Sequence, residues 1–210
     1  MPESRANGQR TFPPLYKSTR NESMDRLAFF HILERLKTQK RTGWVDYKIP
    51  NPESISDHMY RMAVLALCCT DKTLDIPKCV MLAVVHDLAE AQVGDIAPRE
   101  NIPKEEKRRL EAEAMHNFIH EMLHGSPAAR RIEALWQEYE DQLTPEARFV
   151  KDLDRFEMAN QAFEYERSSG VASLQPFFDN SLPFLRHPEV QSWGRDLERE
   201  RAEERKAVGQ

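Results

Sequence analysis

The sequence has too little cysteine, too little glycine and too few unbroken apolar runs for a disulfide scaffold, a turn-rich β protein or a membrane span. Cysteine occurs three times in 210 residues, as Cys68, Cys69 and Cys79, an odd number with no CxxC pair. That pattern fits reduced thiols in a cytoplasmic protein. Seven glycines are few for a fold made of hairpins. The longest apolar runs, Ala63–Cys69 and Val80–Val85, fall far short of the roughly 20 residues a spanning helix needs. The first ten residues, MPESRANGQR, lack the apolar segment of a signal peptide. Basic charge is not in excess either. Lys and Arg number 30 against 35 Asp and Glu, a net charge of −5, so no general nucleic-acid-binding surface is expected. What is present is 40% hydrophobic and 31% charged residues. A chain of this length can bury roughly 70% of its unfolded surface.

Hydrophobic spacing divides the chain. Residues 1–22 are polar, carry Pro13-Pro14 and show no periodicity, which predicts a flexible tail. From Ser23 the spacing turns helical, with Leu27, Phe30, Leu33 and Leu36 as the first stripe. Ser54, with Asp57 three residues on, predicts a capping box. It opens a helix striped by Ile55, Met59, Met62, Ala66 and Cys69. Pro77 begins a third helix, predicted to run unbroken to Val93 and to stop at Gly94. Further helices follow from Pro103 to Gly125, around Trp136, and from Thr144-Pro145-Glu146 to about Arg167. The reading is all-α: one helical bundle over residues 23–190, with a charged C-terminal helix and tail over 191–210.

The third helix is the informative one. Val80, Met81, Leu82, Val84, Val85, Leu88 and Val93 lie all round it, which predicts burial at the centre of the bundle. Its second half nevertheless holds His86, Asp87 and Glu90, spaced to share one side. Burying an uncompensated carboxylate costs several kcal/mol, and a divalent cation is an economical remedy. His58, beside Met59 and Met62, and Asp154, between Leu153 and Phe156, repeat the anomaly on two other helices. A mixed nitrogen and oxygen set of this kind suits Mn, Fe, Co or Mg better than a thiolate-type zinc site does.

At these residues the sequence resembles the HD-domain metal-dependent phosphohydrolases, in the pattern His58, His86-Asp87, Asp154. The surrounding segments RTGWV (41–45), SDHMYRMA (56–63), HDLAEAQVGDI (86–96), IPKEEK (102–107) and VKDLD (150–154) resemble the 5'-deoxynucleotidase branch. The resemblance spans roughly residues 24–200. It implies a homodimeric HD-domain bundle that hydrolyses deoxyribonucleoside 5'-monophosphates, with Mn, Co or Mg at one or two sites per subunit. It also implies that His58, His86, Asp87 and Asp154 ligate the principal metal, and that Glu90 stands beside the reacting water. Asp95 matches either a proton donor or, with Glu90 and the backbone at Ile96, part of a second metal site. Arg41 matches a phosphate contact and Trp44 a sugar-facing tryptophan. In bacterial members the arginine directly precedes the tryptophan, whereas here Thr42-Gly43 intervenes.

Other readings carry weaker support. The same metal site could act on a triphosphate, a cyclic nucleotide or an alarmone, but the chain has no added regulatory domain or long basic insertion. A helical adaptor stapled by a structural metal would have no use for the spare acids Glu90 and Asp95. His116, His120 and His124 have ligand spacing, yet they fall opposite the stripe Leu110, Ala114, Phe118 and Met122, so they are expected on a solvated face. Cys68, Cys69 and Cys79 are expected in the core, and Trp136 and Trp193 in packing contacts.

Overall fold

The structure, a computed structural model, describes residues 10–171 and 173–208, apart from the side chains of Pro98 and Val208. Helices α1 (Glu22–Ile32), α2 (Glu34–Thr38) and α3 (Thr42–Asp46) lead into α4 (Ile55–Leu67) and α5 (Ile76–Val85). A short α6 (Glu90–Val93) precedes α7 (Lys104–Asn117), which widens into a π turn over Phe118–Met122. Then come α8 (Pro127–Asp141), the long α9 (Pro145–Ser169), α10 (Gln175–Asp179) and α11 (Pro188–Val208). Among the described residues there is no strand, and one isolated bridge pairs Lys40 with Ser54. The all-α expectation holds.

Local chemistry explains the boundaries. Ser54 caps α4 by accepting from the Asp57 backbone N–H while the Asp57 carboxylate accepts from the Ser54 N–H, the reciprocal box expected from the sequence. Thr144 caps α9 by accepting from the Ala147 N–H, with Pro145 in the first turn, where its missing N–H costs nothing. Helices α4 and α5 pack together, and α9 lies against both. Two apolar clusters result. Met62, Leu82, Phe149, Leu153 and Phe178 belong to one, and Phe29, Ile55, Met59, Val85, Leu88 and Phe118 to the other. Both α4 and α5 contribute to each cluster, so polar side chains between their two sets of apolar residues stand at the seam between the cores.

Several expectations change. The third helix does not run through to Val93. It ends at Val85, and residues 86–89 form turns whose bonds reach back three residues, as in Leu88 N–H to Val85 O and Glu90 N–H to Asp87 O. Nor is α5 buried all round, since Met81 and Val84 are exposed. In α1 the buried ring is Phe29, packed edge-on against Phe118, while Leu27 and Phe30 face solvent. Cys79 is buried as expected, but Cys68 is exposed and Cys69 half-buried; all three are free. The tail expected over residues 1–22 is only partly described. Residues 1–9 lie outside the described part, while residues 10–21 follow the body as a strap. Tyr16 and Ser18 hydroxyls both donate to the buried Asp25, and Gln92 donates to the Pro13 carbonyl. The charged C-terminal helix packs on the body: Val190, Leu197 and Arg201 are buried where α11 lies against α9.

Candidate metal centre

The helix break at residue 86 turns His86 and Asp87 toward α4 and α9. His86 Nε2 lies 3.1 Å from Asp87 Oδ2. His58, in the first turn of α4, places Nε2 3.3 Å from Asp154 Oδ1 and 3.9 Å from Asp87 Oδ2. Ligand atoms of His58, His86 and Asp154 all fall within 4.8 Å of one another. The outer atom of each group is already held. His58 Nδ1 donates to Glu157 Oε2 at 2.5 Å, and His86 Nδ1 donates to the Ala83 carbonyl at 2.9 Å. Asp154 Oδ2 accepts from Tyr139 Oη at 3.0 Å and from Lys151 Nζ at 2.8 Å.

The inner atoms are the ones without partners. His58 Nε2, His86 Nε2 and Glu90 Oε2 are buried and make no hydrogen bond. Leaving such groups unpaired costs about 1–3 kcal/mol each, and two of the three are nitrogen atoms aimed at one point between carboxylates. The residues therefore fit a divalent cation: two imidazoles and Asp154 converge, with their outer hydrogen bonds fixing each orientation, and Asp87 Oδ2 lies within 3.9 Å of both imidazole nitrogens. A second acid-and-histidine group, Glu53, His58 and Glu157, shares the ring by its other nitrogen. The His58–Glu157 bond already closes it.

Electrostatics agree. Burial and Arg41 oppose protonation of His58, but Glu157 and Asp154 outweigh them and the ring is pushed up to about 10. Burial would raise Asp87 and Asp154, yet neighbouring cations win: the two histidines and Arg41 hold Asp87 below the usual carboxylate range, and Lys151 with His58 does the same for Asp154. Glu90 goes the other way. Burial, then the charges of Asp87 and Asp95, lift its carboxyl well above 4.5.

The remaining sequence-predicted residues divide into two groups. Arg41 Nη1 lies 3.3 Å from Asp87 Oδ2 and 3.7 Å from Asp95 Oδ1, so the intervening Thr42-Gly43 does not carry it away from the acids. Asp95 follows Gly94, whose φ of 75° allows the chain to turn out of α6. It is held by the Thr42 N–H at 2.6 Å on Oδ2, while Arg10 of the strap donates to its carbonyl at 2.7 Å. The Ile96 side chain enters the second apolar cluster, leaving its backbone beside Asp95. Trp44 stands in a clamp: its ring is 2% exposed, lies 4.2 Å from Phe177 and 5.2 Å from Tyr165 between centroids, and donates Nε1–H to Glu53 at 2.8 Å.

Four groups around the centre escaped the sequence reading. Glu157 and Tyr139 hold ligands, as does Lys151, and Lys107 of α7 reaches within 3.9 Å of Glu90 and 3.4 Å of Glu111. Lys107 and Lys151 fall in segments that carried the resemblance. Glu157 sits one helical turn after Asp154, a spacing that places both on one face. As expected, His116 and His120 are exposed and stand apart from the centre, whereas His124 turns back and pairs its Nε2 with the buried Asp25 at 2.8 Å.

Comparison with known proteins shows the family. The 5'-deoxynucleotidase HDDC2 of Homo sapiens is 47% identical over 177 residues, covering 84% of this chain and 86% of that protein. The 5'-deoxynucleotidase hdd1 of Schizosaccharomyces pombe is 46% identical over 182 residues, covering 86% and 92%. Among solved structures, HD domain-containing protein YGK1 superposes with a TM-score of 0.65 at 34% identity, covering 88% of each chain. The HD domain profile itself matches residues 33–190, the stretch that holds His58, His86, Asp87 and Asp154, and the chain belongs to the HD domain family.

Proposed function

We propose that this chain is a metal-dependent 5'-deoxynucleotidase that hydrolyses deoxyribonucleoside 5'-monophosphates to deoxynucleoside and phosphate. The observation that carries the chemistry is the convergence of two partnerless Nε2 atoms on Asp154, with Asp87 Oδ2 beside both nitrogens and Arg41 beside Asp87. The relatives named as 5'-deoxynucleotidases, at 46–47% identity, support the substrate class. His58, His86, Asp87 and Asp154 hold a divalent cation, with Mn, Co and Mg as the candidates. Such a cation lowers the pKa of water and neutralises charge on a phosphoryl group. Glu90, with a free buried Oε2, orients that water and accepts its proton. Arg41 forks onto phosphate oxygens. Trp44, held rigid by Glu53, Tyr165 and Phe177, forms the wall against the sugar.

Asp95 serves with Glu90 and the Ile96 carbonyl as a second cation site. Asp95 Oδ2 accepts from the Thr42 N–H at 2.6 Å and Oδ1 lies 3.7 Å from Arg41 Nη1, contacts that fix its side chain in place. Homodimerisation follows the exposed apolar side chains Tyr60, Val64 and Leu67 of α4 and Met81 and Val84 of α5. Free cysteines fit a cytoplasmic protein. The test is phosphate release from paired deoxy- and ribonucleoside mono- and triphosphates with Mn, Co or Mg. Release from deoxynucleoside monophosphates ahead of the other substrates is expected; preference for triphosphates would overturn the reading.

A further inference from the structure

We infer that Glu157, charge-balanced by Arg61, is the positioning residue that presents His58 Nε2 to the metal. The inference deepens the proposed metal chemistry and rests on it.

Two helices supply the parts in matched pairs. On α4, His58 and Arg61 are one turn apart; on α9, Asp154 and Glu157 are one turn apart. The rungs between them are His58 Nε2 to Asp154 Oδ1 at 3.3 Å and Arg61 Nε to Glu157 Oε1 at 2.8 Å. A diagonal joins the rungs, because His58 Nδ1 donates to Glu157 Oε2 at 2.5 Å. Helix α9 thus addresses both nitrogens of one ring, the inner one through Asp154 and the outer one through Glu157.

The chemistry follows from the proton count. A neutral imidazole has one N–H, and an ionised carboxylate only accepts. In the neutral ring that a metal requires, Glu157 therefore holds the remaining proton at Nδ1 and leaves the lone pair on Nε2, the atom that is buried without a partner among the other ligand atoms. A charged acceptor also makes the ring a stronger donor to a metal than a neutral one does. The two histidines differ in this respect, since His86 Nδ1 meets a main-chain carbonyl, that of Ala83.

A fully buried glutamate needs a reason to remain ionised, and Arg61 provides it. Nε donates to Glu157 Oε1, Nη2 lies 2.5 Å from the same oxygen, and the guanidinium is anchored further by Gln161 and Glu164. Packing alone would be served better by an apolar side chain at a site that is 0% exposed.

The experiment titrates Mn2+ into metal-free protein, comparing wild type with Glu157→Gln, Glu157→Ala and Arg61→Met, and records melting curves with and without Mn2+. The isosteric Glu157→Gln can still accept the Nδ1–H but carries no charge. Its Mn2+ affinity should fall about 10–100-fold, with Glu157→Ala at or beyond the upper end and Arg61→Met between wild type and Glu157→Gln. A packing role would instead lower the melting midpoint equally with and without Mn2+ and leave affinity unchanged, and that result overturns the inference. If Glu157→Ala does not fold, Glu157→Gln alone decides. Wild type that binds no Mn2+, Co2+ or Mg2+ would remove the metal reading itself, and the inference with it.

Discussion

His86 and Asp87 are neighbours in the chain, yet His86 Nε2 lies 3.1 Å from Asp87 Oδ2. In a continuing α-helix, adjacent side chains leave the axis roughly 100° apart and do not face each other. Here α5 stops at Val85, and the tightened turns that follow bring the imidazole and the carboxylate to the same point. The break is what lets one dipeptide offer two of the proposed ligands, with α4 and α9 each offering one more.

Removing either of those added ligands should disable the centre. Asp154→Ala and His58→Ala are expected to abolish phosphate release. Both should also lose the rise in melting midpoint that Mn2+ gives the wild type. A ligand present at 100 times its dissociation constant stabilises a fold by about 2.7 kcal/mol, enough to see by calorimetry. Near-wild-type turnover by either variant at limiting metal would show that the metal is held elsewhere.

Glu90 calls for a different outcome. Its Oε2 is buried without a partner, and burial with the charges of Asp87 and Asp95 raises its carboxyl above the ordinary 4.5, so its negative charge is a burden in the metal-free protein. Glu90→Gln should then fold at least as stably as wild type without metal. Its kcat should fall about 10²–10⁴-fold, the usual loss for one positioned proton acceptor. Counting bound metal ions in variant and wild type separates the two roles of Glu90: an unchanged count assigns the loss to proton handling, a count lower by one to the second cation site. Full kcat in the variant would remove both.

How much of this could be read from the chain depended on whether the signal was local. The Ser54 and Thr144 caps are local, and both helices start where their residues require. The proposed ligand pattern stood out in the sequence because His58, His86-Asp87 and Asp154 are ionisable residues set among apolar ones. The break after Val85 was not legible, since no glycine or proline marks residues 86–89 and tertiary packing decides it. Phe29 and Phe30 offer the same side chain to two faces, and contact with Phe118 chooses between them. Glu157 was hidden for another reason: its role depends on His58, 99 residues away, and no local spacing reports that pairing.

The pH dependence has a definite sign. His58 is pushed from 6.5 up to about 10. Between these values the folded metal-free protein holds a proton that the unfolded chain has released, so stability falls as pH rises through that window. Glu90 contributes in the same direction from a lower starting point, because its carboxyl is raised above 4.5. Metal at Nε2 must displace the His58 proton, so affinity climbs with pH. The melting midpoint of chelator-treated protein should therefore drop from near neutral pH toward pH 9, while the increment due to Mn2+ grows. An increment that does not change with pH would exclude His58 as a ligand.

Arg41 and Trp44 should divide affinity from selectivity. They leave the same turn, since the Trp44 N–H bonds to the Arg41 carbonyl at 3.1 Å. The guanidinium points to Asp87 and Asp95, whereas the ring is fixed by Glu53, Tyr165 and Phe177. A rigid apolar wall offers a ribose 2'-hydroxyl no partner, and an unpaired buried hydroxyl costs about 1–3 kcal/mol. That amounts to roughly 5–150-fold discrimination, since 1.4 kcal/mol is about a factor of ten. Trp44→Ala is a poor probe, because emptying so buried a site typically costs about 3–5 kcal/mol of stability. Trp44→Phe keeps an aromatic ring in the clamp, loses the bond to Glu53 and shortens the wall. It should narrow the deoxy-to-ribo ratio of kcat/KM by improving ribonucleotides relative to deoxynucleotides, with Mn2+ affinity intact. Arg41→Met should raise KM for both sugars by similar factors, because a phosphate contact carries no information about the 2' position. Paired kinetics on one deoxynucleotide and its ribonucleotide decide the matter: an unchanged ratio in a folded Trp44→Phe variant, or a strongly altered one in Arg41→Met, would overturn this division.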